Sequence, residues 1–143
     1  MDPDIDFGAI FEEFDTIILG RKTYELTQQQ PGPAMPGVQS YVFSRTLRQD
    51  DCPGVVVSDD PTTTLSELKG QSGKDIWLFG GGSLFASLLQ LGLVDAVEVA
   101  VMPVLLGEGI PLLPHSSSQR KLRLTENKVL EKTGTVTLSY SVG

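Results

Sequence analysis

Apolar positions along the chain fall into short bounded runs and into steps of three and four, and these two spacings mark its elements. Phe7, Ile10, Phe11 and Phe14 sit at i, i+3, i+4 and i+7, which predicts an amphipathic helix over 5–14 capped by Asp4 or Asp6. Thr16-Ile17-Ile18-Leu19-Gly20 is a β-branched strand run ending on glycine, and Arg21-Lys22-Thr23-Tyr24-Glu25-Leu26 follows with helical character. The same order recurs at Ile76-Trp77-Leu78-Phe79, a run that breaks on Gly80-Gly81-Gly82 and resumes at helical spacing with Leu84, Phe85, Leu88, Leu89 and Leu91. Ser83 is the expected N-cap of that helix and Gly92 its stop.

Between these units, 28–37 reads as a proline- and glycine-rich loop, and 39–44 and 54–58 as strands. Thr64-Leu65-Ser66-Glu67 has the form of a capping box for a helix that turns Leu65 and Leu68 inward and stops at Gly70. The apolar stretch 94–106 predicts a buried strand broken at Pro103. Further on, 122–131 is a strand whose alternation slips, placing a bulge near Asn127, and 135–142 pairs with it as an antiparallel hairpin with Val136, Leu138, Tyr140 and Val142 inward. Helices joining the early strands imply parallel pairing. The expectation is one α/β domain over 1–143, in three layers, α-β-α, around a mixed, mostly parallel central sheet with an antiparallel C-terminal hairpin.

Composition narrows the partners. A chain of 143 residues is long enough to bury a core, and its net charge of −7 excludes a generally basic surface for nucleic acid or anionic lipid. The expected partner is a small molecule, with neither nucleic acid nor membrane involved. Cys52 and His115 are single, which excludes an intrachain disulfide, a cysteine metal cluster and a multi-histidine metal site, and the place of His115 in the polar loop 114–118 excludes a catalytic triad. Cys52 is expected to be an unreactive thiol, His115 a solvated loop residue and Trp77 a core side chain. The acidic start and the lack of a long apolar stretch make the cytoplasm the expected location.

In open α/β sheets, ligands bind beyond the carboxyl ends of the strands. Three such ends stand out: Gly20-Arg21-Lys22-Thr23, Ser44-Arg45-Thr46 and Gly80-Gly81-Gly82-Ser83. Glycines let a ligand approach the main chain, helix starts offer free N–H groups, and the cations and hydroxyls suit phosphate. A dinucleotide fits such a set better than a mononucleotide, and cations beyond those a pyrophosphate needs point to NADP. A bare tight connection at the glycines, and solvated charges at Arg21 and Lys22, are the plain alternatives.

Leu19-Gly20-Arg21-Lys22-Thr23-Tyr24-Glu25, Trp77-Leu78-Phe79-Gly80-Gly81-Gly82-Ser83-Leu84 and 102–112 (Met-Pro-Val-Leu-Leu-Gly-Glu-Gly-Ile-Pro-Leu) together resemble the dihydrofolate-reductase-like family, specifically its RibD C-terminal-domain branch of bacterial reductases. The resemblance implies an NADPH-dependent reductase fold with an eight-stranded mixed sheet. It places Gly20, Arg21, Lys22 and Thr23 with Ser44, Arg45 and Thr46 at the cofactor phosphates and adenosine ribose. Gly80, Gly81, Gly82, Ser83 and Leu84 fall at the pyrophosphate, and Phe79 on the substrate side. It also implies a cis peptide between Gly80 and Gly81.

One departure lies at the front, where the family's first strand, with its Ser-Leu-Asp-Gly-like stretch, has no counterpart before Ile5. The chain is therefore expected to start at an internal methionine, with the missing strand's place inside the sheet beside 76–79. The functional expectation is a homodimeric oxidoreductase related to riboflavin biosynthesis, passing hydride from NADPH to a pterin- or aminouracil-like heterocycle. The alternative is an inactive nucleotide-binding or structural remnant of the fold, also a homodimer. No catalytic residue is assigned; Glu25 and Asp95 are the carboxylates considered as acids.

Overall fold

The computed structural model describes residues 3–30, 37–114 and 119–143. Two helix-linked halves form around separate sheets. The first contains α1 (Phe7–Glu12), β1 (Phe14–Gly20), α2 (Arg21–Gln29), β2 (Gln39–Phe43), β3 (Val56–Ser58), α3 (Pro61–Gly70), β4 (Asp75–Gly80) and α4 (Gly82–Gln90). Its sheet is parallel throughout, in the order β3-β2-β1-β4. The remaining strands, β5 (Ala96–Val101), β6 (Leu122–Leu130) and β7 (Thr135–Val142), form an antiparallel sheet in the order β5-β7-β6.

β1 is the spine because it lies between β2 and β4 and is covered on both faces. Ile17 and Leu19 pack with Tyr24, Val42 and Cys52 on one side, and Ile18 packs with Phe43, Leu65 and Leu88 on the other. Burial on both faces is why its sequence is continuously apolar rather than alternating. Cys52 is buried in the first cluster. Desolvation, with the Cys52 contact adding to it, raises the Tyr24 hydroxyl's pKa.

Several local expectations change. Asp6 caps α1, its carboxylate accepting the Ala9 amide at 3.0 Å. The cap of α3 is Asp60, one turn before the Thr64 box: its carboxylate accepts from the Thr63 amide at 3.1 Å, and Pro61 opens the helix. The Thr64 hydroxyl instead meets that of Ser58 at 2.8 Å. Similarly, α4 starts two residues early, with Gly81 rather than Ser83 as N-cap and no side-chain cap bond, so Ser83 lies within the first turn. Leu88 and Leu89 supply the buried face of α4, and Gly92 ends it in the left-handed region at φ 73°.

The antiparallel half departs furthest from expectation. The 94–106 stretch forms only a six-residue strand, and most of β5 is exposed, as is all of 101–111. The slip in β6 falls between Leu124 and Glu126, where the Thr125 hydroxyl donates to the Ser139 carbonyl at 3.0 Å, rather than at Asn127. β7 is half-buried from Val136 to Val142 without a clear inward face, because it is the middle strand of its sheet. Among the described residues, the seven strands also do not form one eight-stranded sheet: the edges of β4 and β5 carry no ladder between them. The loop residues 31–36 and His115 lie outside the described residues.

Candidate functional site

Neighbouring strands bring the three glycine and cation motifs to one edge. In the parallel register Gly20 pairs with Phe43 and Leu19 with Gly80, so Gly20-Arg21, Ser44 and Gly80-Gly81 leave adjacent strands at the carboxyl end of the sheet. α2 and α4 both begin there, on Gly20 and Gly81, with no side-chain cap and no acid in either first turn. The initial N–H groups of both helices thus lack side-chain partners at one end of the sheet, where the helix dipoles favour an anion.

The glycine turn is closely packed. A Cβ on Gly80 would lie 3.0 Å from Thr23 Cγ2 and Oγ1, and one on Gly81 would lie 3.2 Å from Thr23 Oγ1. A Cβ on Gly82 would meet Pro114 Cδ at 3.1 Å. The requirement for small residues here comes from Thr23 and from the 112–114 segment closing over the turn, a contact between distant segments that local spacing does not reveal. The peptide between Gly80 and Gly81 is cis, as the resemblance implied.

The cations and hydroxyls differ in their freedom. Arg21 Nη1 donates to both Glu25 carboxylate oxygens, at 3.0 and 3.1 Å, across one helical turn. Lys22 is exposed beside it. Ser44 Oγ accepts the amides of Thr46 at 3.1 Å and Leu47 at 3.0 Å, so this hydroxyl shapes the turn that carries the exposed Arg45 and Thr46. Ser83 is exposed on α4 and Leu84 is half-buried against the Ile18 cluster. Asp95 pairs with Lys69 at 2.8 Å, so both considered carboxylates, Asp95 and Glu25, are held in ion pairs.

An aromatic row adjoins the glycines. Trp77 stacks on Phe14 with centroids 5.3 Å apart, lies 5.8 Å from Phe11 and meets Phe79 edge-on at 5.2 Å. Trp77 and Phe79 share a face of β4 because side chains alternate along a strand. Phe79 remains 41% exposed at the open edge. The α1 spacing signals this row in the sequence, but its partner strand does not. Next to it, Asp15 accepts the Lys74 amide at 2.8 Å and the Thr16 hydroxyl at 2.9 Å, and these bonds lower its carboxyl pKa.

Among the described residues no group of three His, Cys, Asp or Glu side chains is arranged to hold a metal, and no helix is long and apolar enough to cross a membrane.

The family model for the RibD C-terminal domain matches residues 3–138. The chain is 33% identical to the uncharacterized Bacillus subtilis (strain 168) protein YyaP, covering 98% of this chain and 80% of that protein. A solved structure from Shewanella sp. PV-4, provisionally assigned to riboflavin biosynthesis, aligns at TM-score 0.81 and 21% identity over 100% of this chain and 83% of that one. A pyrimidine reductase-like protein from Corynebacterium diphtheriae aligns at TM-score 0.72 and 18% identity over 98% and 82% of the respective chains. These two likenesses establish the dihydrofolate-reductase-like fold.

Proposed function

The chain belongs to the RibD C-terminal domain family, and on that premise we propose that it is a reductase that binds NADPH along the carboxyl edge of its parallel sheet. The observation that carries this reading is the meeting of two uncapped helix starts, at Gly20 and Gly81, on neighbouring strands. They fit a ligand with two phosphates. The amides at Gly81, Gly82 and Ser83, beside Leu84, would hold the pyrophosphate. Lys22, Thr23, Arg45 and Thr46 would hold the ribose and its 2′-phosphate, with Ser44 fixing the turn and Arg21 shared with Glu25. NADPH supplies hydride, and the acceptor is a planar heterocycle of the pterin or aminouracil class lying against Phe79. The protein orients the two rings and excludes water from the apolar wall of Trp77 and Phe79.

The exposed apolar stretch around Leu105, Leu106 and Ile110 supports a homodimer. A second reading, nucleotide binding without turnover, is favoured by the open edge of β4 beside Phe79, which leaves the substrate side without a facing wall. Titration of NADPH while exciting Trp77 tests the binding claim. Quenching with energy transfer at lower concentrations of NADPH than of NADH is expected; no optical change and no calorimetric heat at saturation would sink it. Oxidation of NADPH with aminouracil or pterin acceptors then separates the two readings.

A further inference from the structure

Among the described residues β3 has one strand neighbour, β2, so its other edge ends the parallel sheet. The Ser58 carbonyl accepts the Ser44 amide at 2.9 Å, which turns the backbone groups of Ser58 toward β2. Alternation along the strand then points the Val55 carbonyl and the Val57 amide outward. A side chain meets both: Gln49 Nε2 donates to the Val55 carbonyl at 2.7 Å, and Gln49 Oε1 accepts the Val57 amide at 2.9 Å. Its carboxamide supplies the donor and the acceptor that a residue of a neighbouring parallel strand would supply. We propose that Gln49, through this clasp, is a positioning residue for Arg45 and Thr46 and thereby for recognition of the ribose 2′-phosphate. The inference rests on the cofactor reading, which assigns those two residues to that phosphate.

The clasp matters because the connection from β2 to β3 has little regular structure of its own. It contains one short 3-10 turn, Gln49–Asp51, and is otherwise held by side chains. At its start, Ser44 Oγ accepts the amides of Thr46 and Leu47. Further on, Leu47, Val55 and Val57 pack against the cluster that contains the buried Val42 and Cys52. Gly54, in the left-handed region at φ 80°, lets the chain turn back into β3. Gln49 Nε2 also lies 3.4 Å from the Cys52 carbonyl, so its clasp joins both sides of that turn. Arg45 and Thr46 are exposed and lie between the Ser44 bonds and the Gln49 clasp. An exposed pair on such a segment keeps its position only while both ends are held; Ser44 holds one and Gln49 the other. Fixing the pair before a nucleotide arrives reduces the ordering cost of binding.

Gln49 is exposed, so Gln49→Met removes the clasp while keeping an unbranched side chain of similar length. Hydrogen exchange reads the clasp without any nucleotide. The Val57 amide is expected to be protected in the unaltered protein and to exchange about tenfold or more faster in Gln49→Met, with the amides of β1 unchanged. Calorimetry with adenosine 2′,5′-bisphosphate and adenosine 5′-phosphate then reads the phosphate end of the site alone. Gln49→Met should cut the preference for the bisphosphate by about threefold to tenfold with little change in the urea midpoint, and should have no further effect in an Arg45→Ala, Thr46→Ala background. Fast exchange at Val57 in the unaltered protein overturns the clasp. A bisphosphate preference that Gln49→Met leaves intact, or lowers equally in the Arg45→Ala, Thr46→Ala background, overturns the positioning role while the cofactor reading stands. No bisphosphate preference in the unaltered protein overturns the cofactor reading and the positioning role with it.

Discussion

Thr23 sets the steric limit at the glycine turn, because its side chain fills the space a Cβ on Gly80 would need. Gly80→Ala should destabilise the protein by about 1–3 kcal/mol, the range for overpacking a filled site, and Thr23→Ala in the same chain should restore part of that loss in urea titrations. Arg45 is exposed on a turn held by Ser44. Arg45→Ala should leave urea stability unchanged while reducing the preference for NADPH over NADH, read from Trp77 quenching. Asp15 gives a pH dependence of definite sign. Its native pKa lies below the ordinary 3.8, so the native state takes up its proton less readily than the unfolded chain. Its contribution is full above 3.8 and is lost as pH falls through the lowered native value. Asp15→Ala should lower the urea midpoint at neutral pH and flatten this acid limb.

The elements show where local signals compete. Thr64-x-x-Glu67 has a capping-box pattern, yet Asp60 takes the cap because Pro61 suits the first helical position and the Asp60 carboxylate reaches the Thr63 amide. Asp60→Ala should therefore lower the melting temperature, while Glu67→Ala should leave it nearly unchanged; equal effects would restore the box. At α4, Ser83 is the better capping residue by type, but the chain enters the helix two residues earlier and leaves Gly81 at the boundary. That shift places main-chain amides rather than a hydroxyl at the edge of the sheet, which strengthens the phosphate reading. The apolar character of 94–106 was legible, but its burial was not, since its covering layer must come from outside the segment.

For the whole molecule, the stretch from Val101 to Leu112 exposes a series of large apolar side chains, with Leu105 fully exposed and Ile110 98% exposed. Such a surface suits association between copies. Sedimentation should give a species of twice 15.4 kDa, and Leu105→Glu with Ile110→Glu should shift it toward the monomer with little change in Trp77 emission. A wild-type monomer across concentrations would refute the dimer.

The sequence alone determined the α/β class, the order of elements and the three strand ends, because period-two and period-3.6 patterns and glycine breaks are local properties. It also carried the family resemblance that the match over 3–138 bears out. Tertiary structure decided that Gly20, Ser44 and Gly80 leave adjacent strands, that Thr23 and Pro114 close on the glycine turn, and that Arg21 is held by Glu25. Those depend on which strand lies beside which. It also decided that the sheet parts between β4 and β5, since a strand's sequence shows that its edges can pair but not what stands next to them.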